Sequence, residues 1–257
     1  MEERNVYSRV ELSKILKEIL EEKIVTINED ELLNNMLFYI GDEDPKLRDK
    51  LIYKTFYTLI VERKEISNPM CKELLQKLIS DRYLFYRMNQ SENQGVLTRS
   101  FSVLVVALIL HRNRLNPFLS REEFQTTKQS VFDYFKKEKD YRGYSEQWGW
   151  IHAIAHCSDA IEEIVLSLDA NKNDCIEILD SASTVFTNPL TIFTHEEDER
   201  FINAIEIMIN RNFIHQEELV NWAKRLEIQE NILDYRTFVQ RMNGKNMIRS
   251  LMSRKLI

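Results

Sequence analysis

Residues 140–168, DYRGYSEQWGWIHAIAHCSDAIEEIVLSL, decide how the rest of the chain is read. They hold two of the five Gly, two of the three Trp and two of the five His. The pattern predicts a polar, Gly-containing loop feeding one long helix. Placed at about 100° per residue, His156, Asp159 and Glu163 fall within about 40° of His152, so the four share a face. Trp150, Ile154, Cys157, Ile161, Ile164 and Leu168 fall opposite and form an apolar stripe for a core. Such a helix packs through one side and presents imidazoles and carboxylates on the other.

Composition sets the class. Gly and Pro are five and four, where ordinary usage of a chain this long gives roughly thirty together. Sheets with tight turns consume Gly and helices do not. With 44% hydrophobic and 30% charged residues, the expectation is a nearly all-α protein. The longest apolar run, 103–110, is far below the ~20 residues that span a bilayer. The first residues, MEERNVYSRVELSK, lack the apolar region of a signal peptide. Three cysteines (Cys71, Cys157 and Cys175) form no C-x-x-C pair and suit buried thiols in a reducing cytoplasm. A cytoplasmic protein with no membrane partner is expected.

The charge is uneven. Net charge is −6, yet residues 221–257 carry eight Lys/Arg against three Asp/Glu. An acidic body argues against nucleic acid as the main partner. The basic end keeps a narrower version of that idea open.

Helix starts are marked along the chain. Residues 1–27 read as an amphipathic capping helix ending near Lys23. Asn28 caps a second helix to Ile40, with Gly41 as its C-terminal stop. Asp44 caps the next, with Pro45 at the first helical position, where its missing N–H costs nothing. Ser67-Asn68-Pro69 opens a helix to about Arg82, and 93–98 is a polar break before an apolar helix from Arg99 to His111. Ser120 opens one through Lys137. After the helix of 140–168 come 171–186, a helix from Thr194 through Asn210, then 215–225, 231–241 and 243–254. No segment alternates long enough to demand a strand.

Buried-looking helices begin near Pro45, Arg99, Gly149 and Glu199, a spacing of about 50 residues, near the period of HEAT and armadillo repeats. The expectation is an all-α, HEAT/armadillo-like α-α superhelix of stacked helical hairpins. It is read as one domain, 1–257, with 215–257 as a basic C-terminal cap whose polar outer face closes the stack.

Several stretches together resemble a family of uncharacterised bacterial proteins, mainly from Firmicutes, grouped as a domain of unknown function. They are Gly41-Asp42-x-Asp44-Pro45-x-x-Arg48-Asp49, Arg99-Ser100-Phe101-Ser102, and Asp198-Glu199-Arg200. The most specific is Asp140-x-Arg142-Gly143-Tyr144-x-Glu146-x-x-Gly149-Trp150-x-His152-x-x-Ala155-His156. Members tend to have Gly-Ala where this chain has Cys157-Ser158. The resemblance implies a helical, repeat-like fold in a bacterial cytoplasm and supplies no mechanism.

The site candidates follow from the His face. His152, His156 and Asp159 have the residue types and spacing to ligate a divalent cation. Ala153 stands where a zinc protease of the H-E-x-x-H type carries its general base, so that class is excluded. The alternative is that the two imidazoles tie their helix to a neighbour, with Asp140, Glu146 or Asp198 as partners. Arg142 offers a planar set of donors for an anion beside a helix start near Glu146. Its alternative is an Asp140–Arg142 pair within the loop, with Gly143 at positive φ. Trp148 is either a stacking surface or a packed aromatic, and Arg99 and Asp198 mark other helices expected to line the same groove. Arg241, Lys245, Arg249, Arg254 and Lys255 form either a phosphate-binding strip or a solvated face.

No Gly-rich phosphate loop, G-x-S-x-G or EF-hand loop is present. The leading reading is a binding or scaffold module that takes a protein, a peptide or a small polar ligand in a groove at His152, His156 and Asp159, with no cofactor. A metal-dependent hydrolase using those three residues, with Glu146 or Glu163 as base, is the second reading. Nucleic-acid binding along the basic segment is the third.

Overall fold

The computed structural model describes residues 6–23, 28–88, 90, 94–228 and 234–257. Among them the chain is mostly helical, with one two-stranded hairpin. The helices are α1 (Arg9–Leu20), α2 (Glu29–Phe38), α3 (Lys54–Tyr57), α4 (Asn68–Leu78), α5 (Gly95–Leu115) and α6 (Arg121–Lys137). After the hairpin of β1 (Tyr144–Ser145) and β2 (Gly149–Trp150) come α7 (Ala153–Leu166), α8 (Lys172–Val185), α9 (Glu197–Asn210), α10 (Gln216–Lys224) and α11 (Tyr235–Ser253). Residues 46–62 run as one rod, π-helical at Lys46–Tyr53 and Thr58–Glu62 on either side of α3.

The helix starts are where capping chemistry puts them. Ser8 with Glu11, Ser120 with Glu123 and Asn171 with Asp174 form reciprocal capping boxes, each satisfying two N–H groups that lack intrahelical partners. Asn28 accepts from Glu31 N, and Asp44 Oδ1 accepts from Lys46 N at 2.9 Å ahead of Pro45. Ser67 accepts from Met70 N. Removing one such cap costs about 1 kcal/mol.

Several expectations about these elements fail, most of them where a tertiary contact sets the backbone; the polar break expected over 93–98, for one, is cut short because α5 already begins at Gly95. Gly41 makes no left-handed stop; its backbone lies against Thr98, where any Cβ would collide. The long helix expected through Trp150 and His152 begins only at Ala153, and Trp150 is exposed on β2 rather than in the core. Leu168 lies beyond the C-cap at Ser167 and is also exposed. Finally, 243–254 is no separate helix: α11 runs unbroken through Asn243 and Gly244. Asn243 accepts from Phe193 N and donates to the carbonyls of Asn188 and Thr191, while Gly244 lets the Leu226 carbonyl approach. The start expected at residue 231 lies outside the described residues.

The chain divides into two compact units, one of residues 1–118 and 145–151, the other of 119–144 and 152–257. Within each, alternate helices form two rows. In the first unit α1, the 46–62 rod and α5 pack successively, while Lys77 of α4 reaches Asn34 of α2. In the second, α7, α9 and α11 make one row, and α6, α8 and α10 the other. Polar links join neighbours in a row: Lys128–Asp174, Lys136–Glu177, Lys172–Glu218 and Arg225–Asp180 on one side, Asp159–Arg200 and Glu199–Arg254 on the other. Exposed pairs of this kind contribute about 0–1 kcal/mol each, so they set register while apolar burial supplies stability. Lys128–Asp174 is the buried pair among them, at 2.5 Å.

Helix α5 is long and apolar enough to cross a membrane, but 89% of its most apolar window is covered by protein. It is a core helix flanked by the 46–62 rod and α4. In the second unit the centre is aromatic: Phe201 stacks on Phe135 at 5.6 Å between centroids and meets Phe186 at 5.1 Å, and Phe186 meets Phe193 at 5.4 Å.

The first unit is built round a charge. Arg48 is fully buried and donates to the carbonyls of Asp42 (2.7 Å), Trp148 (2.6 Å) and Trp150 (3.2 Å), with its guanidinium over Phe101. Its carboxylate partner is Asp49 at 2.8 Å; burial outweighs that attraction and pushes Asp49 up to about 6. Substituting Arg48→Met keeps much of the volume but strands three carbonyls and Asp49. A loss of about 3–5 kcal/mol is expected in urea unfolding; a loss below about 1 kcal/mol would mean these groups find other partners.

Candidate histidine site

The site lies in the second unit, where the loop after α6 meets the loop before α9. Glu138 closes α6, and its buried carboxylate accepts from the N–H groups of Lys139 and Asp140, both at 2.9 Å. Asp140 then takes Arg142 in a two-pronged pair, Nε to Oδ1 at 2.7 Å and Nη2 to Oδ2 at 2.5 Å. Tyr141, between them, is buried edge-on against Phe193. One aromatic contact therefore anchors both loops to the core.

Gly143 is where they touch. It does not have the positive φ expected for a turn; that conformation belongs to Gly149. A Cβ at Gly143 would run into the His195 ring and the Glu197 carboxylate. Its carbonyl accepts from His152 N at 3.2 Å. His152 is left-handed at φ 48°, ψ 33°, and serves as the N-cap position of α7. Glu196 is left-handed too, at φ 65°, at the start of α9. Non-glycine residues held this way cost about 1–3 kcal/mol each.

These bends gather three imidazoles. The His152 ring lies 5.7 Å from His156, nearly perpendicular, and 6.2 Å from His195. His156 is buried, and His195 Nδ1 lies 3.1 Å from Thr194 Oγ1. Burial first, then the charges of Arg200 and His195, push His152 down to about 4. It is therefore a neutral ring at physiological pH, with one donor and one acceptor nitrogen. Glu197 is buried, takes His195 N at 2.8 Å on Oε2, and is raised chiefly by burial, against the pull of its backbone N–H partners. Asp159, a turn along α7, is held by Arg200 through both carboxylate oxygens at 2.9 and 2.8 Å.

The candidates from sequence thus divide. His152, His156, Asp159, Asp140 and Arg142 are in the second unit, with His152 on the approach to α7 rather than on it. Asp198 is in the second unit but faces away to accept from Ser250 Oγ at 2.7 Å. Glu146, Trp148 and Arg99 belong to the first unit. Glu146 is in a hairpin turn and not in the first turn of a helix, Trp148 presents its carbonyl to Arg48, and Arg99 is buried and donates to Tyr86 O. Asp140 holds Arg142 within the loop, the alternative to an anion site. Among the described residues no group of three His, Cys, Asp or Glu side chains is arranged to hold a metal ion.

Residues 84–252 match the family model described as a protein of unknown function, DUF2785. The chain belongs to that family. Neither the curated proteins nor the solved structures provide a significant match. The matched span takes in the residues of the histidine site. His195 and Glu197 were missed from sequence: Thr194-His195-Glu196-Glu197 reads as an acidic helix start, and nothing local says that it meets Gly143.

The His152 shift has a measurable sign. Its folded value lies below the unfolded one of about 6.5. The stability it confers is therefore complete above that pH and is lost as pH falls from about 6.5 to about 4. In the protein with carbon-13-labelled histidine, His152 is expected to stay neutral until pH approaches about 4. His152→Asn is expected to flatten the stability profile across that window; a ring titrating at its ordinary value would overturn the assignment.

Proposed function

We propose that this chain is a binding module whose contact point is the imidazole cluster of His152, His156 and His195. The observation that carries the reading is the left-handed backbone at both His152 and Glu196. Such backbone persists only where surrounding structure holds it; five other non-glycine residues share it, and at these two positions it brings imidazoles from separate loops together. His152 and His195 are only partly buried and, with the Asp159–Arg200 pair, offer a polar, hydrogen-bonding face. The ligand class that suits it is a peptide or a protein loop bearing amides or hydroxyls. Such groups can donate to and accept from the two ring nitrogens of His152, which burial holds neutral.

Two further readings support this role. The alternation of helices into two rows is what a HEAT-like hairpin stack would produce, and such stacks are a common scaffold for protein recognition. Three buried free cysteines suit work in a reducing cytoplasm.

The test is site-directed photo-cross-linking in lysate, with a benzophenone amino acid at exposed Thr194 and a control probe at Asn221 on α10. A discrete adduct is expected from Thr194 alone, and a background with His152→Ala and His195→Ala should lose it while keeping its helical circular dichroism. Adducts that persist in that background, or that are common to both probes, would refute the site.

A further inference from the structure

Helix α11 carries an exposed row of basic residues. Residues 235–257 contain six Lys/Arg and no Asp or Glu, on a protein whose net charge is −6. At 3.6 residues per turn, Phe238, Arg241, Lys245, Arg249 and Met252 fall on one face about 80° wide, with Tyr235 just beside it. All six are exposed, while Val239, Met247 and Leu251 on the other side are buried. The acids that α9 turns towards α11 already have partners: Glu199 and Glu206 pair with Arg254, and Asp198 takes Ser250. Among the described residues Arg241, Lys245 and Arg249 make no ion pair. Three unneutralised cations therefore stand one turn apart, about 6 Å per step. At the N-terminal end of the row Tyr235 and Phe238 stack at 6.1 Å, with Tyr235 70% exposed.

We propose that this face binds single-stranded nucleic acid. Arg241, Lys245 and Arg249 track successive phosphates, and the Tyr235–Phe238 pair gives an unpaired base a surface to stack on. A row of cations ending in exposed aromatic rings is the chemistry such strands require, and arginine's planar donors suit phosphate oxygens. An anionic bilayer fits less well, because a helix lying in a membrane presents its apolar face to the lipid, and that face of α11 is turned into the protein. Duplex binding would leave the aromatic pair without a base to meet.

The test is fluorescence anisotropy of the full chain with a labelled oligo-dT, an oligo-U of equal length, the corresponding duplex, and vesicles containing phosphatidylserine. Saturable binding of the single strands is expected at low salt, falling with log salt at a slope of about −2, as three neutralised phosphates require. R241E/K245E/R249E is expected to weaken binding at least about tenfold without lowering the melting temperature. Tyr235→Ala with Phe238→Ala should weaken the single strands more than the duplex. The His152→Ala, His195→Ala variant should bind the strands normally, which separates this face from the histidine site. No binding at low salt, equal affinity for duplex and single strand, binding to vesicles alone, or full binding by the charge-reversed variant would each overturn the proposal.

Discussion

Backbone at Gly143 lies against the His195 ring and the Glu197 carboxylate, closer than any side chain there would permit. That contact joins two loops 50 residues apart and fixes the distance between the imidazoles they carry. Glu197 is buried there, holding His195 N with one oxygen while the Gly143 backbone lies against the other. Below it, Tyr141 and Phe193 tie both loops to the ring cluster of Phe135, Phe186 and Phe201. A small polar centre thus rests on an apolar support that resists displacement. Side chains in such a core move only at the cost of close packing.

Much of the helical plan was legible in the sequence because caps are local chemistry. Asn28, Asp44 with Pro45, Ser67, Ser120 and Asn171 each announce a helix through atoms within three residues of themselves. The misreadings came where a distant partner set the conformation. Residues 149–152 continue a helical periodicity on paper, yet Arg48 takes the carbonyls of Trp148 and Trp150, and His152 bends left-handed to reach Gly143 O. Asn243-Gly244 has the residues of a break and sits inside a helix, because both serve contacts with loops some 20 to 50 positions away. The site was half visible for the same reason. Periodicity found His156 and Asp159 on one rod, but His195 and Glu197 arrive through a meeting of loops that no local pattern encodes.

Charge plays three different parts in the molecule. Arg48 is buried and stationary, a hub for backbone carbonyls whose positive charge is balanced at 2.8 Å by Asp49. The pairs linking alternate helices are mostly exposed and contribute more to register than to stability. On the outer face of α11, Arg241, Lys245 and Arg249 make no ion pair among the described residues, so their field reaches solvent. Only this last arrangement acts at a distance, and salt screens it within about 10 Å.

The three hydrogen bonds of Asn243 have a bearing on how the protein is made. They hold the carbonyls of Asn188 and Thr191 and the N–H of Phe193, and Phe193 in turn backs Tyr141. During synthesis the ribosome will have released the histidine-bearing segments well before residue 243 emerges from its tunnel. The hairpins can pair as they appear, but the loop beside His195 has its clasp only once α11 is out, so the nascent chain gains its shape before it gains its grip.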